Sequence, residues 1–133
     1  MAKMGTVVTK GKNTKQILAN ATLYQAFGAQ IKADGVTADS NGRKIIPAGT
    51  PVGGTASFLE DEMAELVVTN ADGDAANTQG VLLYEIDVTA GTQNGTVLVF
   101  GFVNENRLDS ALTVNAAAKT ALENKVTFVK RNA

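Results

Sequence analysis

The sequence predicts an α+β fold: a β-rich small single domain with a short helix near the C-terminus and a mobile N-terminal arm. Three observations lead there. The chain has 133 residues, 44% of them apolar and 19% charged, with 13 glycines and no tryptophan. That length suits one domain able to bury roughly two-thirds of its unfolded surface. Short apolar segments punctuated by Gly, Asn and Asp read as strands, whereas one Ala-rich segment near the end reads as a helix. The first fifteen residues hold too little large apolar surface to order themselves.

Residues 1–15 are therefore assigned to the arm and 16–133 to the domain. The arm carries one β-prone island, Thr6-Val7-Val8-Thr9, between Gly5 and Gly11. Such an island is expected to become a strand when a partner offers a sheet edge; a frayed terminus is the plainer alternative. Leu23, Phe27 and Ile31 recur every four residues, which fits one helical face and equally a β-paired segment. Asp34-Gly35 and Asn41-Gly42 predict turns, and Arg43–Ile46 a short strand. Pro47–Gly54 holds two prolines and three glycines and predicts a fixed, non-helical loop.

Ser57, with Glu60 three residues on, fits a capping box, and Phe58, Leu59, Met63 and Leu66 then share a helical face. Leu66–Thr69 reads better as strand, so 57–69 stays open between the two. Asn70–Gly80 reads as a polar loop. Leu82, Tyr84, Ile86 and Val88 alternate with polar and apolar neighbours as a strand with one buried face. A turn over Thr89–Gly95 leads to Thr96–Val103, an almost wholly apolar run. This is expected to be a central strand covered on both faces, with Leu98, Phe100 and Phe102 on one side and Val97, Val99 and Val103 on the other. The two strands form a hairpin. Ala111–Glu123 predicts the helix, with Val114, Ala118, Ala121 and Leu122 as its stripe and Asn115 as its cap. Val126–Val129 predicts a closing strand.

Composition excludes much chemistry. The chain has neither Cys nor His. Thiolate catalysis, disulfides, common zinc sites and a Ser-His-Asp triad are thus excluded. Asn70-Ala71-Asp72-Gly73-Asp74 begins like a calcium loop, but the required Gly and Glu positions hold Ala75 and Val81. Glu85 and Asp87 are paired carboxylates that would suit acid–base work, but a solvated strand face explains them more simply. The 47–54 loop lacks the Lys-Ser/Thr of a phosphate loop. No cofactor, metal or catalytic residue is expected.

Charge is uneven. Residues 1–32 carry Lys3, Lys10, Lys12, Lys15 and Lys32 with no acid, whereas all thirteen acids fall in 33–133. A cationic arm on an acidic body points to a protein partner. The arm has no aromatics between its lysines, and a net charge of −1 attracts phosphates poorly, so nucleic acid is not expected. No apolar run approaches the ~20 residues of a membrane span, and Met1–Asn20 lacks a signal-peptide core. Synthesis as a soluble cytoplasmic product is expected.

Ile45-Ile46-Pro47-Ala48-Gly49-Thr50-Pro51-Val52-Gly53, Gln79–Leu83, Gly95–Asn104 and Lys125–Val129 together resemble the head decoration proteins of tailed phages, the lambda-type capsid-stabilising and head-fibre-related group. The likeness covers about residues 40–130 and is one of order and character. Ser57–Asn77 departs from it, being longer and more acidic. The resemblance implies a homotrimer on the outer surface of the expanded capsid. It also implies that the trimer stabilises the shell against internal DNA pressure. The partner would be the major capsid protein, reached by an N-terminal arm that pairs with coat-protein strands. On this sequence the role falls on Lys3, Thr6, Val7, Val8, Thr9, Lys10 and Lys12. Another phage structural subunit, such as a tail-tube protein or fibre base, is the main alternative, and an enzyme using Glu85 and Asp87 is a third.

Overall fold

In the computed structural model of the protein, which describes residues 16–20, 22–71, 73–109 and 112–131, one long strand organises the chain. The proposed arm, with Lys3, Thr6, Val7, Val8, Thr9, Lys10 and Lys12, lies outside the described residues. The strands are β1 (Gln25–Ile31), β2 (Ile45–Ile46), β3 (Pro51–Gly53), β4 (Glu65–Val68), β5 (Thr78–Leu82), β6 (Ile86–Asp87), β7 (Gln93–Asn104) and β8 (Val126–Val129). A helix, α1 (Ala116–Ala121), precedes β8. The fold is α+β and β-rich, with its helix near the C-terminus as expected.

Five strands pair in a closed circuit. β1 runs parallel to β4, β4 antiparallel to β3, β3 to β5, β5 to β7, and β7 returns antiparallel to β1. β8 extends β7 in parallel, and β2 with β6 forms a separate two-stranded ribbon. Every ring strand sends side chains to one core: Ala29 and Ile31, Val52, Leu66, Leu82 and Val97, closed by Ile46, Phe58 and Val88. Val81 and Leu98, next in sequence to Leu82 and Val97, face the other way. They meet Ile17, Leu18, Val103, Leu122 and Val126 in a second core. Residues along a strand alternate between faces, so the β5–β7 wall is buried on both.

β7 is central and doubly covered, as its apolar run predicts, but its alternation slips. Ala26 pairs with Leu98 and Gln25 with Phe100, leaving Val99 as an extra residue. Gly101 then takes φ +148°, where an added Cβ would lie 3.1 Å from that of Tyr24. A bulge re-aims the side chains that follow it. Val103 consequently joins the core of Leu98, not that of Val97, and Phe100 is 42% exposed.

Other expectations change for local reasons. Pro47–Gly54 is a loop only in its first half. Pro51 opens β3, a position that needs no ladder donor, and Gly53 lets Asn77 approach its backbone where a Cβ would overlap the Asn77 carbonyl oxygen. Ser57–Met63 forms turns, not a capped helix. The Phe58 N–H donates to Gln79 Oε1 (3.1 Å), the Leu59 N–H bonds Ser57 Oγ (3.3 Å), and Leu59 and Met63 are exposed, so no common buried face exists. Leu66–Val68 is strand, within β4.

Asn70–Gly80 is not all loop. Ala75–Asn77 forms a 3-10 turn that buries Ala75, and Thr78 already opens β5. The strand expected over Leu82–Val88 breaks after Leu82: Leu83 shares the second core with Val81, so both faces are buried there and not one, and Tyr84 faces solvent. Ile86–Asp87 then pairs with Ile45–Ile46, although Leu83 still donates its N–H to Thr96 O (2.9 Å), which keeps the expected antiparallel neighbour. Gln93–Gly95 belong to β7, so the intervening turn is shorter than predicted. The helix is shorter too. Asn115 caps it, accepting from the Ala117 N–H at 2.8 Å, and it ends before Asn124, which takes φ +69°.

Leu98→Ala should cost about 2–5 kcal/mol, as large-to-small core changes do, whereas Phe100→Ala should cost about 1 kcal/mol or less. Urea unfolding of the two variants measures this, and equal losses would contradict the bulge-directed exposure of Phe100. Gly53→Ala should cost about 1–3 kcal/mol, because β3 and β5 must part to admit the methyl group. A melting temperature unchanged by that substitution would refute the close approach.

Candidate interaction surface

The described chain leaves residues 1–15 at a fixed point. Ile17 and Leu18 are buried in the second core, and Leu18 lies opposite Val103 of β7. Asn104 donates its N–H to Ile17 O, and Ala19 donates to Phe102 O, both at 2.8 Å. Arg107 Nη1 donates to Gln16 O (3.1 Å) and Leu18 O (3.4 Å). The buried Asn104 amide oxygen accepts the N–H groups of Asn106 and Arg131, which steadies the turn that carries Arg107. Gln16 is thus held by backbone pairing, two apolar anchors and a guanidinium.

A few residues further on lies a sheet edge. β4 pairs with β1 only at Gln30 and Ile31, so among the described residues no strand flanks Gln25–Ala29 on the side away from β7. This edge, Gln25-Ala26-Phe27-Gly28-Ala29, has no charge and no proline. Edge strands are normally protected by such residues, because unpaired N–H and C=O groups invite another strand. Apolar side chains surround it. Phe27 is 45% exposed, and the register makes it a diagonal neighbour of Phe100 on one face of the ladder. Tyr24 lies against Gly101, and Leu23 is also exposed. This surface has the chemistry to bind an extended, apolar segment.

A second feature is a groove of about 710 Å³ between the 35–50 segment, β4, Asp109 and Leu112. Val36, Ile45 and Leu112 contribute its apolar lining, and Asp39, Glu85 and Asp109 its acids. Among the described residues, no group of His, Cys, Asp or Glu is placed to hold a metal ion.

Glu85 and Asp87 do not form an acid–base pair. Glu85 precedes β6 and lines the groove, while Asp87 Oδ1 accepts from the Thr89 hydroxyl (2.5 Å) and N–H (2.9 Å). The hydroxyl, then the backbone N–H and more weakly Arg43, hold the Asp87 carboxyl below the ordinary aspartate range. A carboxylate so stabilised is a turn lock rather than a proton donor. Asn70, first residue of the discarded calcium pattern, is also structural: it donates to Thr113 O (2.8 Å) and accepts from the Asn115 N–H (2.6 Å), fixing the approach to α1.

The open edge was hidden in the sequence by the helical spacing of Leu23, Phe27 and Ile31. Its available signal was the run Thr22–Ile31, free of charge and containing two aromatics. The groove had no sequence signal, since its walls come from separate segments.

Asp87 should titrate by NMR below an ordinary aspartate, and Thr89→Val should raise its midpoint. Its folded pKa is depressed, so the stability it contributes is present above the unfolded value and disappears as pH falls through the folded one. An unshifted Asp87 midpoint in the parent would remove the lock.

In comparison with known proteins, the chain matches no protein-family model and no curated protein.

Proposed function

We propose that this chain is a structural virion protein. In this reading it binds the outer surface of the expanded phage capsid as a homotrimer and stabilises the shell. The observation that carries the reading is the edge of β1, which no strand among the described residues covers and which is uncharged and flanked by Tyr24, Phe27 and Phe100. A subunit that worked alone would gain nothing from such an edge, whereas assembly covers it. The order of segments that resembles head decoration proteins supports the same role, as does the acid-free N-terminal segment with its β-prone island. That segment would add as a strand to the coat protein, its lysines meeting an acidic coat surface.

Co-sedimentation with expanded and unexpanded capsids tests the function, with binding expected only to the expanded form. Native mass should give a discrete trimer; hexameric rings or open-ended polymers would favour a tail-tube subunit instead. Deleting residues 1–15 should leave the melting temperature nearly unchanged, because Ile17 and Leu18 remain to complete the second core, but should abolish capsid binding. Val7→Pro, which keeps every charge and removes one ladder donor, should weaken binding strongly. If it binds normally while a variant with Lys3, Lys10, Lys12 and Lys15 changed to Gln fails, the segment is an electrostatic tether and strand addition is wrong.

A further inference from the structure

The acidic groove and the point at which the N-terminal segment departs are close neighbours in the fold. Arg107, whose guanidinium holds Gln16 O, stands two residues before Asp109 on the groove rim. Seven residues of extended chain, from Gln16 back to Thr9, reach up to roughly 23 Å. Residues 3–12 are therefore within reach of the groove without any change in the domain.

The chemistry of the two surfaces matches. Every charged residue lining the groove is an acid: Asp39, Glu85 and Asp109. Val36, Ile45 and Leu112 supply apolar surface beside them. The segment offers the reverse arrangement: Lys3, Lys10 and Lys12 on either side of Val7-Val8, with no acid anywhere in 1–15. Opposite charges at a few ångströms attract, and a partly enclosed site is screened less than open surface. The groove volume of about 710 Å³ accommodates a few extended side chains rather than a folded partner.

We infer that the groove seats residues 3–12 of the same chain, folded back from Gln16, with lysines against the acids and Val7-Val8 against the apolar lining. The free protein then stores the segment in a site of its own. A partner that uses the segment must draw it out, so the groove sets a threshold for attachment. The inference concerns the isolated protein and goes beyond the capsid reading, on which it does not depend.

The absence of cysteine makes the test direct, because Thr6→Cys creates a unique site for a nitroxide label. In the nitrogen-15-labelled protein the nitroxide should broaden the amides of Val36, Thr37 and Ile45 while leaving Phe27 and Gly28 of the open β1 edge sharp. Raising ionic strength from about 0.05 M to about 0.5 M, which shortens the Debye length severalfold, should reduce the broadening several-fold. Glu85→Arg, at an exposed position, and the four-lysine-to-Gln variant should do the same at low salt. A mixture of nitroxide-bearing, isotopically plain chains with unlabelled-cysteine-free, nitrogen-15 chains should show none. Broadening in that mixture would give the groove to a second copy and overturn seating of the chain's own segment. Broadening centred on Phe27 and Gly28, spread evenly over the domain, or absent would each overturn the inference outright.

Discussion

A twelve-residue strand presents more backbone donors and acceptors than any one neighbour in this chain can satisfy, and that constraint shapes the fold. β7 has partners on both edges along its inner length: β1 and β5 at Val97–Leu98, Leu18 and β8 at Val103. Its first part closes the ring, and its last part holds Ile17–Ala19 and the C-terminal strand. The bulge at Val99 with Gly101 divides these two tasks. Without the extra residue the strict alternation would send Val103 toward the face of Val97. The second core would then lose one of its central side chains.

The buried polar groups serve the same end. Thr69 and Thr78 pair their hydroxyls at 2.7 Å where the chain passes from β4 to β5. Gln79 donates to Gly54 O and Ala56 O and accepts from Phe58, tying the 54–58 turn to β5. Asn104 ends β7 and fastens both the Arg107 turn and the C-terminal segment. Among the described residues no buried side-chain nitrogen or oxygen lacks a partner. Each unpaired group would cost about 1–3 kcal/mol, so these bonds preserve stability that the apolar cores supply.

What the sequence revealed follows from the range of the forces involved. Turns at Asp34-Gly35 and Asn41-Gly42, the Asn115 cap and the closing strand depend on a few adjacent residues, and all were legible. The apolar density of Val97–Val103 marked the central strand. Features decided by distant pairing were not: the bulge depends on how β1 meets β7, and the 54–58 turn is fixed from β5 by Gln79, which accepts the Phe58 N–H and donates to Gly54 O and Ala56 O. Leu82–Val88 alternates like a strand with one buried face, yet Leu83 is buried beside Val81 on the other side of the wall and Tyr84 is exposed. The acid-free, lysine-bearing N-terminus is a property of the sequence itself and lies outside the described residues, whereas the β1 edge and the groove arise only when separate segments meet.

Ring closure also has a consequence in time. Gln25 pairs with Phe100, 75 residues later in the chain, and β1 waits for that strand. Contacts so remote in sequence demand loop closure before they return any stabilisation, which slows folding. On the ribosome, then, the neutral Gln25–Ala29 segment emerges before β7 and stays unsatisfied until β7 has followed it. Neighbouring nascent chains on one message would present identical segments to each other during that interval. An unpaired strand edge exposed in this way is a point of aggregation during folding, before the finished fold comes into play.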